Sequence, residues 1–142
     1  MKSRNKEDYK ICIVGLGYVG LPLAARFSLK GFDVTGFDIK EERINQLVNK
    51  IDINNDISNI NLETLVKNSK LTSNIDEIKE SNIFIVTVPT PINEDKTPDL
   101  EPLIESSKLV GSILKKGSIV IYESTVYPLS LIHISEPTRP LR

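Results

Sequence analysis

The chain has 142 residues, 39% hydrophobic and 26% charged, enough for one globular domain with its own core and too few for a second full one. A formal net charge of −1 gives no global attraction for nucleic acid or for an anionic membrane, so any phosphate it binds must be held locally, by backbone and helix ends. A single cysteine cannot form an internal disulfide, nothing points to an oxidising compartment, and the cytoplasm is the expected location.

Basic residues Lys2, Arg4 and Lys6 precede an apolar stretch from Ile11 to Ala25, an arrangement superficially like a signal peptide. Gly15, Gly17, Gly20 and Pro22 interrupt that stretch, and it falls short of the ~20 residues that span a bilayer, so it reads as strand, turn and helix. Tyr9 to Val14 is the strand, and Val19 to Lys30 is a helix with Val19, Leu23, Ala24 and Phe27 on one face, stopped by Gly31. Asp33 to Asp38 predicts a second strand and Glu41 to Asn49 a helix. Asn61 to Asn68 predicts another helix, with Asn61 as its N-cap, after a surface connection from Ile51 to Asn61. Leu71 to Thr72 is a short strand, and Ile83 to Val88 is a continuous apolar run of the kind buried in a parallel sheet. After a Pro-rich loop from Pro89 to Pro98, Asp99 caps a helix whose apolar face runs from Leu100 to Leu114. Gly117 ends that helix, and Ser118 to Tyr122 returns as a strand. Strands alternating with helices imply an α/β fold, a Rossmann-like doubly wound parallel sheet.

Gly15-Leu16-Gly17-Tyr18-Val19-Gly20 is a GxGxxG placed after a strand and at the opening of a helix, the context a dinucleotide-binding turn requires. Gly15 permits the tight turn, Gly17 lets the backbone approach a pyrophosphate, and Gly20 lets the helix pack closely on the sheet. The anion then rests on free N–H groups at the helix start, over the turn that includes Tyr18 and Val19, with no lysine needed. Asp38, 18 residues beyond Gly20, stands where a carboxylate would take the adenosine ribose hydroxyls. It also selects NAD over NADP: a phosphate about 4 Å from that carboxylate meets repulsion of ~4 kcal/mol at an effective dielectric near 20, on the order of a thousandfold in affinity. Lys40 offsets only part of this.

The run GLGYVGLPLA, together with Val88-Pro89-Thr90-Pro91, Pro98-Asp99-Leu100 and Tyr122-Glu123-Ser124-Thr125-Val126-Tyr127-Pro128, resembles the UDP-glucose/GDP-mannose dehydrogenase family over residues 9 to 128. The VPTP and YESTVYP segments look most like the branch that oxidises UDP-N-acetylhexosamines to uronic acids for bacterial surface polysaccharides. The resemblance implies that Gly15, Gly17, Gly20, Asp38 and Arg43 contact NAD, that Thr90 and Pro91 line the cofactor, that Ser124 touches it, and that Thr125 positions substrate and a water near the reacting carbon. Taken without the family, Arg43 is a helix-surface arginine, VPTP a loop signal and the Ser-Thr pair a turn or cap.

The reaction implied removes two hydrides from the sugar C6 alcohol, by way of an aldehyde and a cysteine-bound thioester, and consumes two NAD. In the family's order the nucleophilic cysteine, its lysine and the UDP-binding domain lie beyond residue 128, so the chain by itself is expected to bind NAD and oxidise nothing. The UDP-sugar would be held by that further domain, and the intact protein is expected to be a homodimer; no metal, nucleic acid or membrane is called for. Cys12, between Ile11 and Ile13 in the first strand, reads as a buried and inert thiol, not as the nucleophile.

Where the family continues Tyr-Pro-Gly-Thr-Thr, this chain reads Leu-Ser-Leu-Ile-His-Ile-Ser-Glu-Pro-Thr-Arg from Leu129, which resembles an in-frame translation of a transposon-end adapter used in preparing sequencing libraries. Residues 1–128 are thus expected to be an NAD-binding Rossmann domain, incomplete at its C-terminal side, and residues 129–142 not to be native. The alternative for the tail is a natural short strand with a polar end. Two other functional readings stand beside the enzyme fragment: a dinucleotide-binding module with no chemistry of its own, and another dehydrogenase sharing the fold, of the 3-hydroxyacid or 6-phosphogluconate type, against which VPTP and STVYP argue.

Overall fold

The structure, a computed structural model, describes residues 5–52 and 57–123. Ser124, Thr125 and the segment from Leu129 to Arg142 lie outside the described residues, as does the middle of the connection from Ile51 to Asn61.

The elements run β1 (Lys10–Val14), α1 (Gly20–Leu29), β2 (Asp33–Phe37), α2 (Glu41–Val48), α3 (Asn59–Asn68), β3 (Lys70–Thr72), β4 (Ile83–Val86), α4 (Glu101–Gly111) and β5 (Ile119–Tyr122). All strand pairs are parallel, in the order β3-β2-β1-β4-β5. β1 is central: Ile13 faces Gly36 of β2 on one side and Ile85 of β4 on the other. The chain leaves β1 toward β2 and later returns to the opposite edge at β4, so the strand order reverses between β1 and β4. That is the switch point at which open α/β sheets leave a crevice beyond the strand ends.

Side-chain alternation along the strands builds a core on each face of the sheet. On the first face Ile11, Ile13, Val34 and Ile85 pack under Leu21 and Ala24 of α1, Ile44 and Leu47 of α2, and Leu62 and Leu65 of α3. On the second, Cys12, Val14, Phe84 and Val86 pack with Ile78 and with Leu103 and Val110 of α4. The apolar stretch from Ile11 to Ala25 folds as strand, turn and the first half of α1. Among the described residues no helix is long and apolar enough to cross a membrane.

Boundaries differ from the sequence reading where a side chain competes for a helix end. α3 begins at Asn59, not Asn61, because the Ser58 hydroxyl accepts from the Asn61 amide at 3.2 Å, making Ser58 the N-cap and Asn61 an interior first-turn residue. At α4 the cap position falls on Leu100, although Asp99 Oδ1 does accept from the Glu101 amide at 3.1 Å. α4 stops at Gly111, so Leu114 lies outside it and is exposed. Gly117 serves the turn before β5, with φ of 90°. The Pro89-to-Pro98 loop folds back on itself, with an antiparallel bridge between Ile92 and Pro98 and an Asn93 amide donating to Thr97 O at 2.8 Å. Asp95 holds the tip by accepting from the Thr97 hydroxyl and amide, which lowers its carboxyl below its ordinary pKa. A further short helical turn, Ile75–Ile78, buries Ile78 against the second face; Asn74 caps it through the Asp76 amide.

Candidate functional site

A cleft of about 510 Å³ opens beyond the C-terminal ends of β1, β2 and β4, a size typical of small-molecule and cofactor sites. The glycine turn forms its floor through Gly15, Leu16 and Gly17; Asp38, Ile39 and Arg43 form one wall, and Val88, Pro89 and Pro91 the other. Residues of α4, among them Pro102, Glu105 and Leu109, close the far side.

The turn is forced by contact distances. Gly15 has φ of 101°, a conformation that side-chain-bearing residues avoid. A Cβ at Gly20 would lie 1.8 Å from Gly15 O and 2.4 Å from the Thr87 hydroxyl, so only glycine lets α1 start this close to the turn. Gly17 differs, since a Cβ there would meet nothing within 4 Å. The fold itself does not require glycine at Gly17; open space over its backbone suits an occupant from outside the chain. The amides of Gly17, Tyr18 and Val19 donate to no acceptor among the described residues, while Leu21 N already bonds to Gly17 O at 3.0 Å. Unpartnered N–H groups at the start of a ten-residue helix are the chemistry that holds a phosphate.

Asp38 anchors the opposite wall. Its Oδ2 accepts from the Leu16 amide and its Oδ1 from the Lys40 amide, both at 2.9 Å. A carboxylate has about four acceptor sites, so two remain for a pair of hydroxyl donors. Arg43 donates from Nε to Leu16 O at 2.8 Å and approaches Asp52 Oδ1 at 3.4 Å, and both side chains of that ion pair are largely buried. In this fold Arg43 is a brace of the glycine turn, a role that its place on a helix surface gave no hint of.

The structure therefore gathers Gly15, Gly17, Asp38, Arg43 and Pro91 around one cleft. Gly20 is buried beneath the turn, Val19 occupies the N-cap position of α1, and Tyr18 projects outward, 63% exposed. Thr90 sits half-buried in the loop after β4 and is not among the residues lining the cleft. Thr87, which sequence reasoning did not single out, donates to Gly15 O from β4's end. Cys12 is fully buried in β1, and burial alone pushes its thiol up to about 12, which leaves no thiolate at neutral pH. Among the described residues no group of His, Cys, Asp and Glu is arranged to hold a metal ion.

A parallel sheet, a glycine turn opening a helix at its switch point and a carboxylate at the end of the next strand define a dinucleotide-binding domain. The model of the UDP-glucose/GDP-mannose dehydrogenase family, NAD binding domain, matches residues 9–138, and the chain belongs to that family. It is 52% identical over 122 residues to UDP-N-acetyl-D-glucosamine 6-dehydrogenase of Salmonella typhi and 51% identical over 122 residues to the enzyme of that name in Pseudomonas aeruginosa, covering 86% of this chain in each case. Its fold matches the UDP-D-ManNAc dehydrogenase structure from Pyrococcus horikoshii with a TM-score of 0.79 and 33% identity, over 88% of this chain and 30% of that one. The chain spans about 28% of the length of the two curated relatives.

Proposed function

We propose that this chain is the cofactor-binding part of an NAD-dependent enzyme that oxidises the C6 alcohol of a UDP-N-acetylhexosamine, or of UDP-glucose, to the uronic acid for surface polysaccharide synthesis. The observation that carries the proposal is that a glycine turn with open amides from Gly17 to Val19 and a carboxylate with acceptor capacity to spare, Asp38, border one cleft, which Gly17 and Asp38 both line. NAD, when bound, would accept hydride from the sugar carbon. The residues of this chain bind and orient it: the turn from Gly15 to Gly20 receives the pyrophosphate, Asp38 takes the adenosine ribose hydroxyls, and Arg43 and Pro91 line the rest of the cleft, while the cofactor contacts of Thr90 and Ser124 rest on the family resemblance alone. Thr125 positions substrate. The substrate-holding domain and the cysteine that carries the acyl group are supplied by sequence beyond this chain, and the whole enzyme is a cytoplasmic homodimer. On this reading residues 129–142 are not native, which resequencing the codons for Tyr127 to Arg142 without transposon adapters decides.

The test is calorimetric titration of the chain with NAD and with NADP, followed by absorbance at 340 nm in the presence of NAD and UDP-N-acetylglucosamine. Binding of NAD, NADP weaker by on the order of a thousandfold, and no reduced cofactor are expected. Equal affinity for the two cofactors overturns the role given to Asp38. Formation of reduced cofactor overturns the assignment of the chemistry to a missing part.

A further inference from the structure

We propose that Thr87 is a positioning residue for the dinucleotide, a proposal that rests on the NAD reading of the cleft. Its hydroxyl and the Asp38 carboxylate grip the two ends of one peptide unit. Thr87 Oγ1 donates to Gly15 O at 2.6 Å, and the amide of that same unit, Leu16 N, donates to Asp38 Oδ2 at 2.9 Å. A peptide unit is a rigid plane, so a bond at its carbonyl end and another at its amide end fix its rotation. The next plane is held too, by Arg43 Nε donating to Leu16 O at 2.8 Å. In a trans peptide the N–H points opposite to the C=O, so gripping Leu16 O fixes where the Gly17 amide, the first one left open, is aimed. Three separate parts of the fold, Thr87 just after β4, Asp38 just after β2 and Arg43 in α2, thus set the phosphate-binding amides before any ligand arrives.

Thr87 is the member of this set with no direct route to a ligand. It is 5% exposed, its amide donates to Val14 O at 2.9 Å, and its hydroxyl lies in the notch that the absent side chain of Gly20 leaves open. Val14 O stands farther from the hydroxyl, at 3.2 Å, and a hydroxyl has one proton, so Gly15 O is the principal acceptor. A threonine within an apolar β-rich run signals only strand propensity, which is why its role is visible in the tertiary contact alone.

The experiment compares Thr87→Val, which keeps the shape and loses the hydroxyl, with Thr87→Ser, which keeps the hydroxyl, in the 142-residue chain. Two readouts are taken: the Kd for NAD, and hydrogen exchange of individual backbone amides without NAD. Loss of a buried donor should raise the Kd about tenfold or more in Thr87→Val, with Thr87→Ser within about threefold of the parent. Exchange at Leu16 should quicken in Thr87→Val while the amides of Ile13 and Phe84, deep in the sheet, keep their protection. An unchanged Kd in Thr87→Val, or Thr87→Ser binding as poorly as Thr87→Val, overturns the proposal. So does a uniform loss of protection across the sheet, which marks a merely structural role. If the parent chain takes up no NAD, the cofactor reading fails separately, and exchange at Leu16 still decides whether Thr87 holds the turn. Thr87→Ala replaces Thr87→Val should the valine chain not fold.

Discussion

β1 and β5 have nearly the same composition, Lys-Ile-Cys-Ile-Val against Ile-Val-Ile-Tyr, and opposite fates. In β1 every residue after Lys10 is buried; in β5 exposed and half-buried residues alternate, with Ile119 and Ile121 open to solvent. The cause is position in the sheet. β1 has a strand on either side and helices over both faces, whereas β5 pairs only with β4 among the described residues. Register with Ile83 and Ile85 places Ile119 and Ile121 on the first face, where α1, α2 and α3 lie over the β1–β2 side, while Val120 and Tyr122 pack toward α4, and Ser107 and Tyr122 share a hydrogen bond at 2.8 Å. An apolar β-rich run therefore predicts a strand, but how deeply that strand is buried is decided by its neighbours.

The contrast is broken most severely by truncation. Ile13→Ala should cost roughly 4 kcal/mol in urea unfolding, since Ile13 is fully buried, while Ile121→Ala should cost about 1 kcal/mol or less. Equal losses would mean that the two strands are covered alike. Next in size, Gly20→Ala should cost about 3 kcal/mol or more, because the new methyl meets a carbonyl that Thr87 already holds. Gly17→Ala should leave stability within about 0.5 kcal/mol and weaken NAD binding instead. That pair separates the glycine the fold needs from the one the ligand needs.

Cysteine chemistry sharpens the same comparison. Cys12 should resist iodoacetamide at pH 8 in the folded chain, whereas Ile121→Cys should introduce a thiol that reacts at once; mass spectrometry reads both. Burial raises the Cys12 thiol from about 9 to about 12, so the fold favours the neutral form. Its contribution to stability is complete below about pH 9, where the unfolded thiol is also protonated, and is lost as pH rises from there toward about 12. Cys12→Ala should flatten that part of the stability profile. The smallest effect expected is a gain: Lys50 follows α2 with φ of 64°, and its amide and that of Ile51 bond back to Leu47 O and Gln46 O. Lys50→Gly should therefore stabilise the chain by roughly 0.5 kcal/mol, read as a small rise in Tm.

Much of the fold was legible in the residues. Alternating strand and helix patterns, Gly31 after the first helix and a GxGxxG between strand and helix lead directly to a parallel sheet with a glycine turn opening its first helix, because each signal is local and each has a backbone cause. Helix ends were less legible. Ser58 and Asn61 are both good caps by type, and which one starts α3 depends on where the chain arrives from the preceding segment. Without the family resemblance, which put Thr90 and Pro91 beside the cofactor, the loop after β4 read only as a Pro-rich loop, yet its Ile92–Pro98 bridge folds it back on itself, because Asp95 and Thr97 close a tip that composition alone does not reveal.

The sequence by itself determined the class of the fold, the place of the glycine turn and the identity of the acid that faces it, since periodicity, φ preference and charge are properties of short runs of residues. Only the tertiary structure decided that β1 is enclosed and β5 open, that Arg43 and Thr87 brace the turn, and that Asp38 gives half of its acceptor capacity to the backbone. Those outcomes depend on contacts between residues from 22 to 72 positions apart, such as Leu16 with Asp38 and Gly15 with Thr87, and no local pattern encodes which distant partner a hydrogen-bonding group will meet.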